Sequence, residues 1–354
     1  MLADIVGHER LREPLERAVR SGRLPPALLL VGPEGIGKKT LALAIARAML
    51  CERGPGEACG ECTHCRRLTR SIAALPASRA DAADKTDEPD RQNHRLHPDV
   101  VLVEAWRTAT RTEIKVAQVR DLVGEVAGRP FEGRARVFII DDAHAMNDQA
   151  ANALLKSLEE PPASSHLILV TPSPQALLPT IRSRCQVLRM GPLPTGTVET
   201  YLRERMGVEP GEARLRAGLA EGSIGAALAF ESDEYRELRD EMLALLESSG
   251  EEGVVERLES ADRLAERDDP VRALTVFRAL LRDVLVLRHD AAAGSLLNAD
   301  VAGRLKVLSE GMVGDRAQAL AESAARTRVA LRGNANKLLV MDLLVDGLGA
   351  TQPR

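Results

Sequence analysis

Residues 137–162, VFIIDDAHAMNDQAANALLKSLEEPP, constrain the fold more than any other stretch of this chain. The run 137–140 is apolar, β-branched and aromatic, and too short for a helix, so it predicts a fully buried strand of a parallel sheet. Asp141 and Asp142 then fall at the carboxyl end of that strand, where open α/β sheets bind ligands. After a turn, Asn147 or Asp148 can cap a helix with Ala150, Ala151, Leu154, Leu155 and Leu158 on one face, and Pro161 and Pro162 stop it. Paired acids after a strand are compatible with a solvated strand end as well as with a ligand site.

The rest of the chain supplies the partners such a sheet needs. Residues 27–31, ALLLV, predict a first buried strand; GPEGIGKKT and the helical LALAIARAML follow. Gly32 and Gly37 fit the spacing G-x-x-x-x-G-K, with Gly35 between them. Small residues there let backbone N–H groups close around phosphate oxygens at a helix N-terminus, and Lys38 supplies a cation. The pattern then breaks: Lys39 stands where a P-loop has the Ser or Thr that holds Mg²⁺, and the hydroxyl has slipped to Thr40. Successive helical residues point about 100° apart, so Thr40 cannot replace it.

Four of the five cysteines, Cys51, Cys59, Cys62 and Cys65, lie within 15 residues at C-x7-C-x2-C-x2-C spacing. Two disulfides are one reading. In a reduced compartment the paired C-x2-C steps suit tetrahedral thiolate coordination of a structural Zn²⁺; His64, within a C-x2-C step, is an alternative fourth ligand, but four thiolates are available and leave it a bystander. Residues 69–96 are rich in Ala, Asp, Arg, Ser and Pro without apolar period, and predict a disordered insertion. Residues 100–103, VVLV, and 166–170, HLILV, predict two more buried strands, and Ile114, Val116, Val119, Leu122 and Val123 recur at helical spacing. From Pro192 onward the pattern is helical.

Together, the helix after the DD pair, the cysteine cluster, Ser183-Arg184-Cys185 and the ending RGNANKLLVMDLLVDGL resemble the bacterial clamp-loader ATPase family, of the AAA+ class. The resemblance covers nearly the whole chain outside the insertion. It implies an α/β fold: an AAA+ P-loop NTPase-like parallel sheet domain (1–191) with a zinc-stapled insertion (51–65), a small helical lid (192–232) and an all-α collar (233–354). It also assigns roles. Ile5, Val6 and Gly7 would lie near adenine. Lys38, Lys39 and Thr40 fall in the ATP loop, Asp141 in the Mg²⁺ shell and Asp142 at the acid that polarises water. Thr171 takes the polar sensor position, and Arg184 the finger that reaches a neighbouring subunit's nucleotide.

Three of those positions depart from a working motor: Lys39, Asp142 in place of a longer Glu, and Gly225 where a sensor Arg is expected. The implied protein is a stator, impaired in ATP hydrolysis, in a hetero-pentameric ring with the tau/gamma and delta subunits. The alternative is a motor of the same ring, hydrolysing ATP with Mg²⁺; a remoter one is a free-standing AAA+ remodeller. The sliding clamp and primed DNA would be met through the ring.

At 2% aromatics and a net charge of −4, the chain lacks the stacking platforms and basic footprint of a protein that holds DNA alone. No apolar run is long enough to span a membrane and MLADIVGHER has no signal-peptide core, so the cytoplasm is expected.

Overall fold

The computed structural model describes residues 2, 5–56, 58–75, 93–107, 112–248, 254–267, 269–289, 295–312, 314–332 and 335–349. They fall into two compact units, the first comprising residues 1–201 and 221–226, the second 202–220 and 227–354. The stretch 192–232, expected as a lid, therefore contributes to both.

The first unit runs α1 (Glu9–Arg20), β1 (Ala27–Val31), α2 (Lys38–Leu50), α3 (Thr63–Ala73), β2 (His94–His97) and β3 (Val100–Val103). A short ribbon of β4 (Trp106–Arg107) and β5 (Thr112–Glu113) follows, then α4 (Val116–Val126), β6 (Arg136–Ile140), α5 (Asp148–Glu159), β7 (Ser165–Thr171), α6 (Pro179–Arg182) and β8 (Gln186–Arg189). The six-stranded sheet has the order β2-β3-β6-β7-β1-β8. All neighbours pair in parallel except β2, which lies antiparallel on the β3 edge.

Continuous apolar runs are explained by burial on both faces. Leu28, Leu30, Val137, Ile139, Ile168 and Val170 pack with α2 on one side. Leu29, Val31, Phe138, Ile140, Leu167 and Leu169 pack with α4 and α5 on the other. Side chains alternate across a strand, so a strand with two covered faces has no polar position to show.

The α5 helix forms as its sequence demands. Asn147 is its N-cap, accepting a hydrogen bond from the Ala150 N–H at 2.9 Å, and Ala150, Ala151, Leu154 and Leu158 are buried. The stretch 69–96, expected to be disordered, is ordered at both ends. Residues 69–73 close α3, whose apolar Leu68 is buried, and 94–96 belong to β2, where Leu96 is buried. Local composition hid both, because each is held by packing. Residues 76–92 lie outside the described ones.

The second unit is helical: α8 (Pro210–Leu219), α10 (Ser232–Ser248), α11 (Val254–Glu266), α12 (Pro270–Arg288), α13 (Ala302–Gly311), α14 (Arg316–Arg332) and α15 (Lys337–Gly349). Helices α7 (Thr195–Met206) and α9 (Ile224–Leu228) straddle the division. Its core joins Tyr235, Met242, Phe277, Leu280, Leu281 and Met341. The buried Asp283 carboxylate accepts from the backbone N–H of Leu297 (3.0 Å) and of Asn298 (2.8 Å) and from the Asn298 amide (3.0 Å), and the Tyr235 hydroxyl donates to Asn298. Among the described residues no helix is long and apolar enough to cross a membrane.

Candidate functional site

The carboxyl ends of β1, β3, β6 and β7 bring the predicted residues to one edge of the sheet. Val31 of β1 pairs with Thr171 of β7, and the Gly32 N–H donates to the Thr171 carbonyl at 3.3 Å. Thr171 is buried, and its hydroxyl donates to the Ser173 carbonyl at 2.9 Å. Gly32, Gly35 and Gly37 all have positive φ (157°, 71° and 97°). A Cβ on Gly35 would meet Ser223 Oγ at 2.3 Å, and one on Gly225 would meet Gly35 Cα at 2.7 Å. The Gly225 N–H donates to the Gly35 carbonyl at 2.9 Å. Gly225 is glycine because α9 starts against the backbone of the loop.

Lys38 is buried, and its ammonium donates to the carbonyls of Gly32 (2.7 Å) and Pro33 (2.6 Å). Lys39 reaches outward from the first turn of α2: its ammonium donates to Glu104 and lies 3.6 Å from Asp141 Oδ2. Thr40 is exposed, on another side of the helix, as the 100° step requires. Glu104 also lies 3.2 Å from His94 Nε2. Burial pulls the Glu104 pKa up, but the His94 hydrogen bond and the Lys39 ammonium outweigh it and hold the pKa at about 2. Asp141 and Asp142 are buried. Asp142 adopts φ 53°, a left-handed conformation that Asp tolerates better than most residues, and its N–H donates to Asp141 Oδ1 at 3.1 Å.

The donor set here does not suit Mg²⁺. That ion needs near-octahedral oxygen coordination at about 2.0–2.1 Å, and a cationic side chain stands among the carboxylates. Ile5 is buried and Val6 half-buried, and the adjoining His8 hydrogen-bonds the Ile36 backbone, tying this segment to the loop. Burial lowers the His8 pKa against that bond.

Arg184 stands apart from the loop, following α6. Its guanidinium lies 2.5 Å from Glu159 and donates to the Thr180 carbonyl at 2.9 Å. Cys185 beside it is buried, which pushes its thiol up to about 12.

The four cysteine sulfurs of Cys51, Cys59, Cys62 and Cys65 lie within 4.8 Å of one another, none in a disulfide. Cys51 caps the end of α2 and Cys62 the start of α3, so the cluster ties two helices. The N–H groups of Cys59, Cys62 and Cys65 point at the sulfurs of Cys51, Cys59 and Cys62 at 3.3–3.4 Å. Those of Cys62 and Glu61 lower the Cys59 pKa to about 6, whereas burial raises Cys65 to about 12. A tetrahedral Zn²⁺ with Zn–S near 2.3 Å sets its sulfurs about 3.8 Å apart, which this cluster fits.

His64, His97 and Glu132 form a second group close by, but its hydrogen bonds account for it. His97 Nδ1 accepts from the Asp99 N–H at 3.1 Å, so Nε2 carries the proton and donates to His64 Nδ1 at 2.8 Å. His97 thus has no lone pair left for a metal.

Sequence reasoning missed Glu104, His94 and Glu159. Glu104 carried a usable signal, since it follows the apolar run 100–103 as Asp141 follows 136–140.

The sequence model of the family described as "DNA polymerase III, delta subunit" matches residues 7–194. The chain belongs to this family. Its relatives include the DNA polymerase III subunit delta' of Escherichia coli (strain K12), 29% identical over 337 residues that cover 94% of this chain and 92% of the relative. The delta' subunit of Bacillus subtilis (strain 168) is 32% identical over 67% of this chain and 64% of its own length. The tau subunit of E. coli K12 is 31% identical, matching 82% of this chain but 40% of tau. The family's match spans the sheet unit, including the P-loop, the cysteine cluster and Arg184.

Proposed function

We propose that this chain is the delta prime subunit of a bacterial DNA polymerase III clamp loader, and that it acts there as a stator rather than a motor. The observation that carries the reading is Lys39: in the first turn of α2 it directs a cation at Asp141, 3.6 Å away, where a motor directs a hydroxyl at Mg²⁺. The chain would join tau/gamma and delta subunits in a hetero-pentameric cytoplasmic ring, with residues 1–191, 192–232 and 233–354 as sheet domain, lid and collar. Arg184 would reach the nucleotide of a neighbouring motor. There its planar cation would stabilise charge on the transferring phosphoryl group. A structural Zn²⁺ on Cys51, Cys59, Cys62 and Cys65, with no open coordination position, would staple α2 to α3 without taking part in chemistry.

The second reading, a motor subunit, is favoured by the retained Gly32, Gly37 and Lys38 and by the tau relative. ATP turnover by the purified chain in Mg²⁺, beside Lys38→Ala, separates the two. A stator shows none above the variant; turnover that Lys38→Ala abolishes reclassifies the chain as a motor. In the assembled ring, Arg184→Ala is expected to cut ATP turnover and clamp loading, and unchanged rates overturn the finger assignment.

A further inference from the structure

We propose that Lys39 is a tethered replacement for a divalent cation: its ammonium takes the place between Glu104 and Asp141 that a metal ion would occupy beside a nucleotide, and excludes that ion. The inference deepens the stator reading and rests on it in treating this edge as a former nucleotide site.

The register of the sheet creates the need for a cation. Val103 of β3 pairs with Ile140 of β6, so Glu104 and Asp141 are the next residues on adjacent parallel strands, both at the ligand-binding edge. Asp141 is buried and Glu104 partly so. Two carboxylates brought side by side at low exposure repel each other unless a positive charge lies between them. In a P-loop protein a hydroxyl after the loop lysine helps to place a metal at such a point. Here the same position of α2 carries a side chain that ends in the charge itself. Lys39 contacts both carboxylates, and His94 supports Glu104 from the far side.

The replacement is not neutral towards metals. An ammonium supplies no lone pair to a coordination shell, and it repels a dication at the distances involved. Thr40, the nearest hydroxyl in sequence, is exposed and cannot fill the missing ligand position. Lys39 therefore sets one positive charge against both carboxylates without Mg²⁺, and the loop keeps its shape with Lys38 bound to its own carbonyls.

The test is Mn²⁺ binding to the full-length, zinc-loaded chain, read from the loss of the free Mn²⁺ signal in electron paramagnetic resonance. Wild type is expected to show no Mn²⁺ site that Asp141→Asn removes. Lys39→Ser, which restores the hydroxyl, is expected to gain affinity on the order of 100-fold, and Asp141→Asn in that background to abolish the gain. Lys39→Met, which keeps the apolar stem and removes only the charge, serves as a second variant should Lys39→Ser fold poorly, and its Mn²⁺ affinity is also expected to rise. The proposal is overturned by a wild-type Mn²⁺ site that depends on Asp141, or by folded Lys39 variants that bind Mn²⁺ no better than wild type. Either result leaves the trans role of Arg184 standing, because that role is read in the assembled ring.

Discussion

The Arg184 guanidinium is held by its own chain: Nη2 lies 2.5 Å from Oε1 of Glu159, at the end of the α5 helix that follows the acidic strand end. The two side chains are 33% and 47% exposed, so the pair is screened by water and contributes at most about 1 kcal/mol. A contact that weak positions the arginine without locking it. Glu159→Gln is expected to shift the urea-unfolding free energy of the isolated chain by less than about 1 kcal/mol with an unchanged m-value. A larger loss would make the pair a structural brace and weaken the case for a transferable arginine.

Removing the metal should loosen one corner of the sheet unit. Purified without chelator, the chain is expected to carry about one Zn per molecule. Chelation should lower the melting temperature and the helical circular dichroism signal, because the cluster ties the end of α2 to the start of α3. Metal-free protein with four titratable thiols and an unchanged melting curve would reject the zinc assignment.

The glycine at 225 predicts that the sensor arginine cannot simply be restored. A Cβ there meets Gly35 Cα at 2.7 Å and Gly35 O at 3.1 Å, both backbone atoms that cannot swing aside. Gly225→Ala is expected to cost about 1–3 kcal/mol, the range for overpacking, in chemical denaturation. A neutral Gly225→Ala would mean that the loop and α9 separate readily.

Asp99 sets an acid limit on stability. Burial pulls its pKa up, but the N–H groups of Phe131, Glu132 and Gly133, at 2.6, 2.9 and 2.7 Å, outweigh it and hold the pKa below the usual value. A folded-state pKa below the unfolded one means stability that is present above the unfolded value near 3.8 and lost as the pH falls through the folded one. Asp99→Asn should cost about 1.5–3 kcal/mol at neutral pH, the scale of a charge-assisted hydrogen bond, and flatten the pH dependence below the unfolded value near 3.8. Equal slopes in both proteins, by denaturation at several pH values, would remove Asp99 from this role.

The strands read at 27–31, 100–103, 137–140 and 166–170 were legible because each holds a short apolar run bounded by polar or glycine-rich turns; the structure extends the third by one residue and the fourth by one at each end. The edge strands His94–His97 and Gln186–Arg189 were not, because each pairs with one neighbouring strand only and carries polar or charged residues of its own. The cysteine cluster was readable from spacing, since ligands with two residues between them on a tight turn are already neighbours. The His64–His97 bond was not readable, because 33 residues of chain separate its partners.

By itself the sequence determined the strand-loop-helix at Gly32–Lys38, the acidic strand end at Asp141, the capped α5 helix and the four clustered thiols. All of these are local patterns whose physical cause lies within a dozen or so neighbouring residues. Only the tertiary structure decided that Lys39 meets Glu104 as well as Asp141, that Gly225 is pressed on Gly35, and that Arg184 rests on Glu159. Those pairings depend on which strand lies beside which and in what register. A register is fixed by how both faces of the sheet are buried, a property of the packed whole that no single stretch of the chain carries.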